Sequence, residues 1–447
     1  MNKTKSELDH PAKSLEDIIH GLIYLYILTI PFQSLGFRFK GLTIALPELV
    51  FFILAPLSII LIVRSKQKLW IDKLDLFVLG WLVANILAGW FAGFDLIVIT
   101  QVTKTAYLIM LYMVLKWTII PGMIERMVKV IIISSLVAAL TGIIGFGLGY
   151  LGIDTTLSIT RPFPYSVENV IQAKGFTPTP NMLASIIMIG VLFNLHKLSM
   201  NQISWKGIDC FILLMLLLGF FLTFSKTVVC LLIGMILVFY SNNKSLLSYS
   251  WRMMVKTVVL ALFIVYIFGT HFIIVKEDND SELLKGDYIA GPALTEIADY
   301  SIYPSQYWSY KEISVKAIRQ SFLWGLGPGK FNGFSHELKK NAEYPTHVPY
   351  PDPHSTYLGT LAENGLLGLI AFLGIIHFVV KYSRKILNNQ SANQYMFACL
   401  PNIFIVIGIE AVSTDVVNFR HYWIVLILLV STLQYLKSST SSKSLNL

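Results

Sequence analysis

LTIALPELVFFILAPLSIILIV (42–63) is followed by RSKQKLWIDK (64–73), and this alternation decides the fold. The first stretch holds one charged residue, Glu48, in 22 positions, whereas the second holds four Lys or Arg in ten. A hydrocarbon core of ~30 Å takes ~20 apolar residues in helical form. The first stretch is therefore long enough to cross a bilayer, and the second suits its aqueous surface. Working outward, the pattern recurs at roughly 16–33, 74–92, 95–116, 130–151, 181–196, 207–224, 227–241, 257–275, 355–379, 394–412 and 421–436. These runs predict an all-α polytopic membrane protein of about 12 transmembrane helices, one integral membrane domain over 1–447.

Composition points the same way, with 55% hydrophobic and 14% charged residues and a mean hydropathy of +0.65. A soluble globular domain is far less apolar, and apolar runs of this length exclude a closed β-barrel. The polar start MNKTKSELDHPAKSLED has no small-residue cleavage site, so the first helix is expected to be retained. Cys210, Cys230 and Cys399 fall inside apolar runs without C-x-x-C spacing, so neither a disulfide framework nor a zinc site is expected. A net charge of +9 would suggest nucleic acid in a soluble protein. Here it has to be sorted by membrane side. With the N-terminus inside, the inner segments carry 20 Lys or Arg and the short outer loops six: Arg38, Lys40, Arg161, Lys174, Lys226 and Arg420. The positive-inside rule then predicts both termini in the cytoplasm.

Two outer segments exceed the length of mere connections, 152–180 and 276–353. The longer one interleaves charge with Tyr288, Tyr300, Tyr303, Tyr307, Trp308, Tyr310, Trp324, Phe331 and Tyr344, a composition that favours buried area over disorder. Within it, 306–323 predicts a short amphipathic helix with Trp308, Ile313, Ala317 and Phe322 near one face and Lys311, Lys316 and Arg319 near another, lying on the membrane surface.

Four local patterns carry candidate chemistry. In YPDPHSTYLGTLAENGLLGLIAFLGII (350–376), prolines fix the approach to a helix and place His354 at its outer mouth, where a group titrating near neutral pH meets both water and a lipid-borne substrate. The plainer alternative is an interfacial histidine that hydrogen-bonds the helix start. WGLGPGKF (324–331) reads either as a loop offering backbone N–H groups to an anion or as a tight turn only. LTFSKTVVCLL (222–232) places Lys226 at the outer surface, as an active cation or a lysine snorkelling to headgroups. RPFPYSVENVIQAKGFTPTPNMLA (161–184) brings Arg161 and Lys174 into an outer loop, or is a Pro-rich connection ending in an Asn cap.

In this order, GFTPTPNMLA (175–184), TFSKT (223–227), GLGPGKF (325–331) and HSTYLGTLAENGLLGL (354–369) resemble the O-antigen ligase and Wzy-type polysaccharide polymerase superfamily over residues 161–379. The resemblance implies a GT-C-like, metal-independent glycosyltransferase without a cofactor. Its donor would be an undecaprenyl-pyrophosphate-linked glycan and its acceptor a hydroxyl of a glycan or lipid outside the cytoplasmic membrane. Membrane lipid and polysaccharide assembly machinery are the other implied partners, and nucleic acid is not one. His354 is then the catalytic group, with Arg161, Lys226 and Arg319 on the pyrophosphate. Lys174, Tyr357, Arg420, Gly327 and Gly329 are supporting positions. Family members often carry Arg where this chain has Lys226, which gives charge without a bidentate fork.

The competing expectation is a secondary transporter or lipid-linked glycan flippase, since Lys104, Glu363 and Glu410 lie within apolar runs. Helix geometry further predicts Lys104 and Glu363 at similar depth, where each needs a partner: either the two pair, or Lys104 reaches up to the pyrophosphate and Glu363 bonds only to backbone or hydroxyl groups.

Overall fold

The computed structural model describes residues 4–39, 42–65, 69–162, 169–200, 206–243, 248–276, 292–341, 344, 352–389 and 396–444. Lys40, Tyr288, Tyr350 and Pro351 lie outside the described residues, as do parts of both long outer segments. Among the described residues fourteen α-helices are formed: α1 (Thr4–Thr29), α2 (Leu46–Arg64), α3 (Lys73–Ala92), α4 (Leu96–Thr118), α5 (Ile124–Tyr150), α6 (Pro180–Ser199), α7 (Lys206–Phe221), α8 (Val228–Asn243), α9 (Tyr249–His271), α10 (Gln306–Gln320), α11 (Phe331–Lys340), α12 (Thr356–Leu387), α13 (Leu400–Glu410) and α14 (Arg420–Ser444). Each of the twelve expected apolar runs overlaps one of these helices, although 42–45 and 272–275 are strand and 394–395 lie outside the described residues. Eight helices are long and apolar enough to cross a membrane, and three shorter apolar ones cover 207–221, 228–243 and 397–410. The twelfth run lies in α14.

The starts of these helices are written locally. Asp72 accepts the Leu74 and Asp75 N–H groups while Asp75 returns a bond to the Asp72 N–H at 2.7 Å, and Asp95 caps α4 through the Val98 N–H at 2.9 Å. Thr179 caps α6 with Pro180 in its first turn, and Ser355 caps α12. Such caps satisfy N–H groups that a helix end leaves free.

α14 is the axis of the bundle, with Tyr422 through Val430 all buried. A helix apolar all round belongs inside the protein. By contrast α2 and α9 turn Phe52, Ile53, Ile59, Leu260, Ile264 and Phe268 outward, the faces that lipid would cover.

Between the helices lie three small antiparallel sheets that an all-helical expectation did not include. β1 (Gly36–Phe39) pairs with β2 (Leu42–Ala45), and β3 (Ser158–Pro162) with β4 (Asn169–Ala173). β5 (Phe272–Lys276), β6 (Thr295–Ile297) and β7 (Tyr300–Pro304) form a sheet in the order β5-β7-β6. The apolar run expected to end at 275 thus stops being helical at His271. The predicted amphipathic helix exists as α10, but it does not lie free on a surface. Tyr310, Ile313 and Ala317 pack with Phe331, Tyr344 and Ala362 in a second small core.

One break organises this region. α12 is interrupted at Gly365 (φ +64°, ψ −165°), where the helical ladder opens. The freed carbonyls of Ala362 and Glu363 accept from Leu326 N (2.8 Å) and Gly327 N (3.0 Å), and Leu366 N donates to Phe322 O at 3.0 Å. The 321–331 loop is stitched into the gap. Gly325, Gly327 and Gly329 all have positive φ. A Cβ on Gly325 would stand 2.3 Å from Glu363 O, and one on Gly365 2.3 Å from Leu323 O. Lys330 anchors the loop to the α3–α4 turn through Asp95 at 3.1 Å and the Ala92 carbonyl at 2.6 Å.

Gly365→Ala is expected to lower the melting temperature by several degrees, since a left-handed non-glycine residue costs ~1–3 kcal/mol before any clash. Gly147→Ala, with nothing within 4 Å of its Cβ, should leave it level or higher. Equal melting of the two variants would show that the break carries no such constraint.

Candidate active site

The motifs meet in pairs. The Ser225 hydroxyl donates to Asn181 Oδ1 at 2.9 Å, joining the start of α6 to the turn before α8. Phe224, in the left-handed region at φ +46°, bends that turn so that Lys226 points inward. Its ammonium donates to the Ser413 carbonyl at 3.2 Å and lies 3.4 Å from the centre of the Tyr307 ring, a cation–π contact. Burial, then the charge of Lys311, holds its pKa well below the usual lysine range.

Tyr307 also touches the other motif pair. Its ring meets the His354 imidazole edge-on at 5.2 Å, while Tyr310 stacks on the same imidazole at 4.6 Å. His354 itself sits at φ +44°. Such a strained backbone persists only where the surroundings fix it, and three anchors do so. The His354 N–H donates to Asp352 Oδ1 at 2.7 Å. Lys311 donates to the carbonyls of Pro353 (3.3 Å), His354 and Val412 (3.2 Å). Thr356 is welded to the α13–α14 turn through Ala411 O (2.9 Å), Thr414 O (3.0 Å) and Val416 N (2.9 Å).

The imidazole keeps 23% of its surface open, yet most of the ring is enclosed between the two tyrosines. Burial pushes its pKa down to about 4; Lys226, Lys311 and Arg161 push the same way and only Asp352, with Nδ1 to Oδ1 at 3.7 Å, opposes them. At neutral pH the ring is uncharged and able to accept a proton. Burial likewise lowers Lys311 to about 7, against the opposing pull of Asp352.

A cavity of about 640 Å³ opens beside this assembly, lined by Arg161, Gln172, Asn181, Ser225, Lys226 and Tyr307 among others. Two of the expected cations, Arg161 and Lys226, therefore face one space. Lys174, Arg319 and Arg420 are not among its lining residues. Lys174 instead closes the β3–β4 hairpin, its N–H donating to Leu157 O at 2.9 Å. Arg319 is exposed in the last turn of α10, eight residues from Lys311, which at 1.5 Å per residue is ~12 Å along the helix. Arg420 is committed to Glu48 and to Gln33. Tyr357 donates to Gly408 O at 2.9 Å and ties α12 to α13.

The glycine loop turns several of its backbone N–H groups toward α12. The N–H groups of Leu326 and Gly327 serve the break in α12, and Phe331 N donates to Glu363 Oε1 at 3.3 Å. Gly327 and Gly329 supply the positive φ that the loop's path requires. The same bond answers the fate of Glu363, which is not paired with Lys104: no ion pair joins them among the described residues. Glu410, buried, accepts from Ser185 and Tyr422. No group of three or more His, Cys, Asp or Glu able to hold a metal ion occurs among the described residues.

Lys311 and Asp352 are the site residues that the sequence reading passed over. Lys311 looked like one charge on the polar face of α10; its one sequence signal is Tyr307, four residues before it and on the same face. Asp352 was read only as part of a Pro-rich approach. Lys311→Met is expected to speed hydrogen exchange of the 352–358 backbone about five- to tenfold, the effect of losing bonds worth ~1 kcal/mol or more. Exchange in α2 and α3 should stay as in the parent. Unchanged exchange at 352–358 would mean that Lys311 does not fix the His354 loop.

A comparison with curated proteins finds no match for the chain. Residues 211–373 match the family model described as O-Antigen ligase, an interval that runs from α7 to the first half of α12 and contains Lys226, Lys311 and His354. The chain is a multi-pass membrane protein in which the stretch 211–373 is similar to the O-antigen ligase family.

Proposed function

We propose that the protein transfers a glycan from undecaprenyl pyrophosphate to an acceptor hydroxyl at the outer face of the cytoplasmic membrane, as a surface-polysaccharide polymerase or an O-antigen ligase. The observation that carries this reading is a single one. Tyr307 bridges an uncharged imidazole and the lysine of a basic cavity, so a base and an anion site stand side by side. The excess of Lys and Arg in the opposite set of loops supports the outer side.

In this reading the pyrophosphate lies against the guanidinium of Arg161 and against Lys226, whose protonated form the arriving anion itself favours in a partly desolvated space. The acceptor oxygen attacks the anomeric carbon and forms the new C–O bond. The bond from that carbon to the pyrophosphate oxygen breaks, and its electron pair leaves with undecaprenyl pyrophosphate. The hydroxyl proton passes to His354 as general base. Positive charge comes from side chains, so the transfer is metal-independent and needs no cofactor. Membrane lipid surrounds the donor, and polysaccharide assembly machinery would supply and remove the glycan.

The test is purified protein with a labelled polyprenyl-pyrophosphate glycan, without nucleotide or ion gradient. Transfer with release of one carrier per glycan supports the enzyme; movement of intact donor across the membrane, driven by a gradient, would establish the transporter. The carrier-linked species accumulating in a deletion strain separates polymerase (single repeat units) from ligase (long chains).

Two variants sharpen the roles. His354→Asn keeps a residue that tolerates the left-handed backbone and should abolish transfer, by about 10²-fold or more, with insertion and melting unchanged. Lys226→Gln should weaken use of the donor about tenfold or more, whereas Lys226→Arg should retain it.

The pH profile has a definite sign. A base titrating at about 4 is still about nine-tenths uncharged at pH 5, where an ordinary imidazole at ~6.5 is almost wholly protonated. Transfer at pH 5 should therefore stay within about twofold of its pH 7 rate. Removing the opposing charge with Asp352→Asn should move the acid limb lower still; a limb near 6.5 in the parent would contradict the geometry around His354.

A further inference from the structure

The basic cavity beside Lys226 has two kinds of rim. Of its lining residues, Arg161, Phe221, Phe224 and Gly269 are exposed and so mark where it opens. Arg161 is a cation of the β3–β4 hairpin, whereas the other three are apolar and sit at the end of α7, in the turn before α8 and in the last turn of α9. Phe221 is 52% and Phe224 47% exposed. Further along α7 and α9, away from these helix ends, Leu214, Leu218, Val265 and Phe268 are exposed as well, a surface that lipid would cover. One side of the cavity thus opens along the ends of three apolar helices, the depth at which hydrocarbon gives way to headgroups.

Gly269 is the residue on that rim that packing does not explain. Glycine weakens a helix interior relative to alanine, and neither usual reason for keeping one applies here. Its backbone is helical, without a positive φ, and a Cβ built on it meets nothing within 4 Å, so no neighbouring element requires a close approach. Gly142, Gly219 and Gly234 show the contrast: a Cβ on each would stand 2.8, 2.6 and 2.9 Å from a side chain of another helix. Gly147 is as open as Gly269 but lines no part of this cavity. What the missing side chain at 269 leaves is space at the mouth.

The cavity therefore joins two cations to an apolar opening at its side. An amphiphile with a phosphate head and a long apolar chain matches both, its head against Arg161 and Lys226 and its chain over Phe221 and Phe224. A free anion gains nothing from the apolar rim, and a neutral lipid gains nothing from the cations. The volume of about 640 Å³ equals that of on the order of twenty waters, room for a pyrophosphate and the first carbons of a chain. We propose that Gly269 is a specificity-determining residue: by leaving its part of the wall empty it keeps open a side mouth through which the chain of a lipid pyrophosphate passes from the basic cavity into the bilayer. That this lipid is the glycan donor rests on the glycosyltransferase reading; the selection of a lipid pyrophosphate does not.

The experiment uses the full chain in phosphatidylcholine nanodiscs, with labelled inorganic pyrophosphate as the probe and farnesyl pyrophosphate as its competitor. The parent should bind farnesyl pyrophosphate at least about tenfold more tightly than the inorganic ion. Gly269→Leu and Gly269→Phe, which fill the open space, should each weaken farnesyl pyrophosphate about tenfold, the effect of displacing about two buried methylene groups. Inorganic pyrophosphate should stay within about twofold of the parent, and the melting temperature should be level or higher. In the transfer assay both variants should raise the donor KM about tenfold and leave kcat and the acceptor KM within about twofold. Binding of neither pyrophosphate by the parent, no preference for the farnesyl compound, farnesyl binding unaltered in both variants, or an equal loss of both pyrophosphates would each overturn the proposal. So would displacement of the probe by phosphatidylglycerol as readily as by farnesyl pyrophosphate, which would make the mouth a seat for ordinary membrane lipid. Lipid-pyrophosphate binding that depends on Gly269, in a protein that transfers no glycan, would uphold the mouth and reject the transferase. Transfer with an unmoved donor KM in both variants would do the opposite.

Discussion

The gap in α12 at Gly365 is the constraint on which the rest of the site depends. A helix that loses its ladder inside an apolar bundle exposes carbonyls and N–H groups that lipid cannot satisfy, at a cost of several kcal/mol each. Here backbone groups of the 321–331 loop supply the partners. That exchange pins the loop between α12 and the α3–α4 turn, and α10, just ahead of it, is thereby held against α12. Tyr307, Tyr310 and Lys311 all project from the first turn and a half of α10. Their positions around His354 follow from where that helix is anchored.

Around the imidazole, charge is partitioned. Arg161 and Lys226 line the basic cavity, whereas Asp352, Glu363 and Asp415 line a smaller one of about 120 Å³ between α3, α4 and α12. Burial and the mutual presence of Asp352 raise Asp415 to about 6, evidence that the acidic side is crowded with like charge. His354 and the paired tyrosines stand on the boundary, with Lys311 holding the backbone on which the boundary is built. The α13–α14 turn is common to both sides: Ser413 O receives Lys226, and Asp415 and Asn418 line the smaller space.

The spans were legible because each is a long apolar run bounded by charge, and their number follows from bilayer thickness. Caps such as Asp72, Asp95 and Ser355 are local too, but at α6 the cap is Thr179 where an Asn was expected. The short strands were not, because β5 continues the apolar run of α9 without a change in composition. Of the cations, Arg161 and Lys226 could be read because each sits in a loop at the same end of the bundle. Arg420 satisfies that criterion equally, but an acidic partner, Glu48, lies 372 residues away in sequence and claims it. Nothing in the spacing shows such a claim. Lys311 errs in the other direction: an ordinary charge on an amphipathic helix becomes central only when a second helix, α12, meets that face. Of the two fates open to Glu363, a pair with Lys104 or bonds to backbone, the structure has the second, with the Phe331 N–H at the end of the glycine loop as donor.

The stitch between the loop and α12 has a consequence for how the chain assembles. Synthesis proceeds from the N-terminus, so residues 321–331 exist before any part of α12 does. Until the helix arrives, Leu326 and Gly327 have no carbonyls to meet; until the loop docks, the upper part of α12 carries open backbone groups that disfavour its residence in lipid. Neither piece reaches its final form alone. Insertion of this span and docking of the loop are one event, and biogenesis of the site waits on it even though eleven of the described helices precede α12 in the chain.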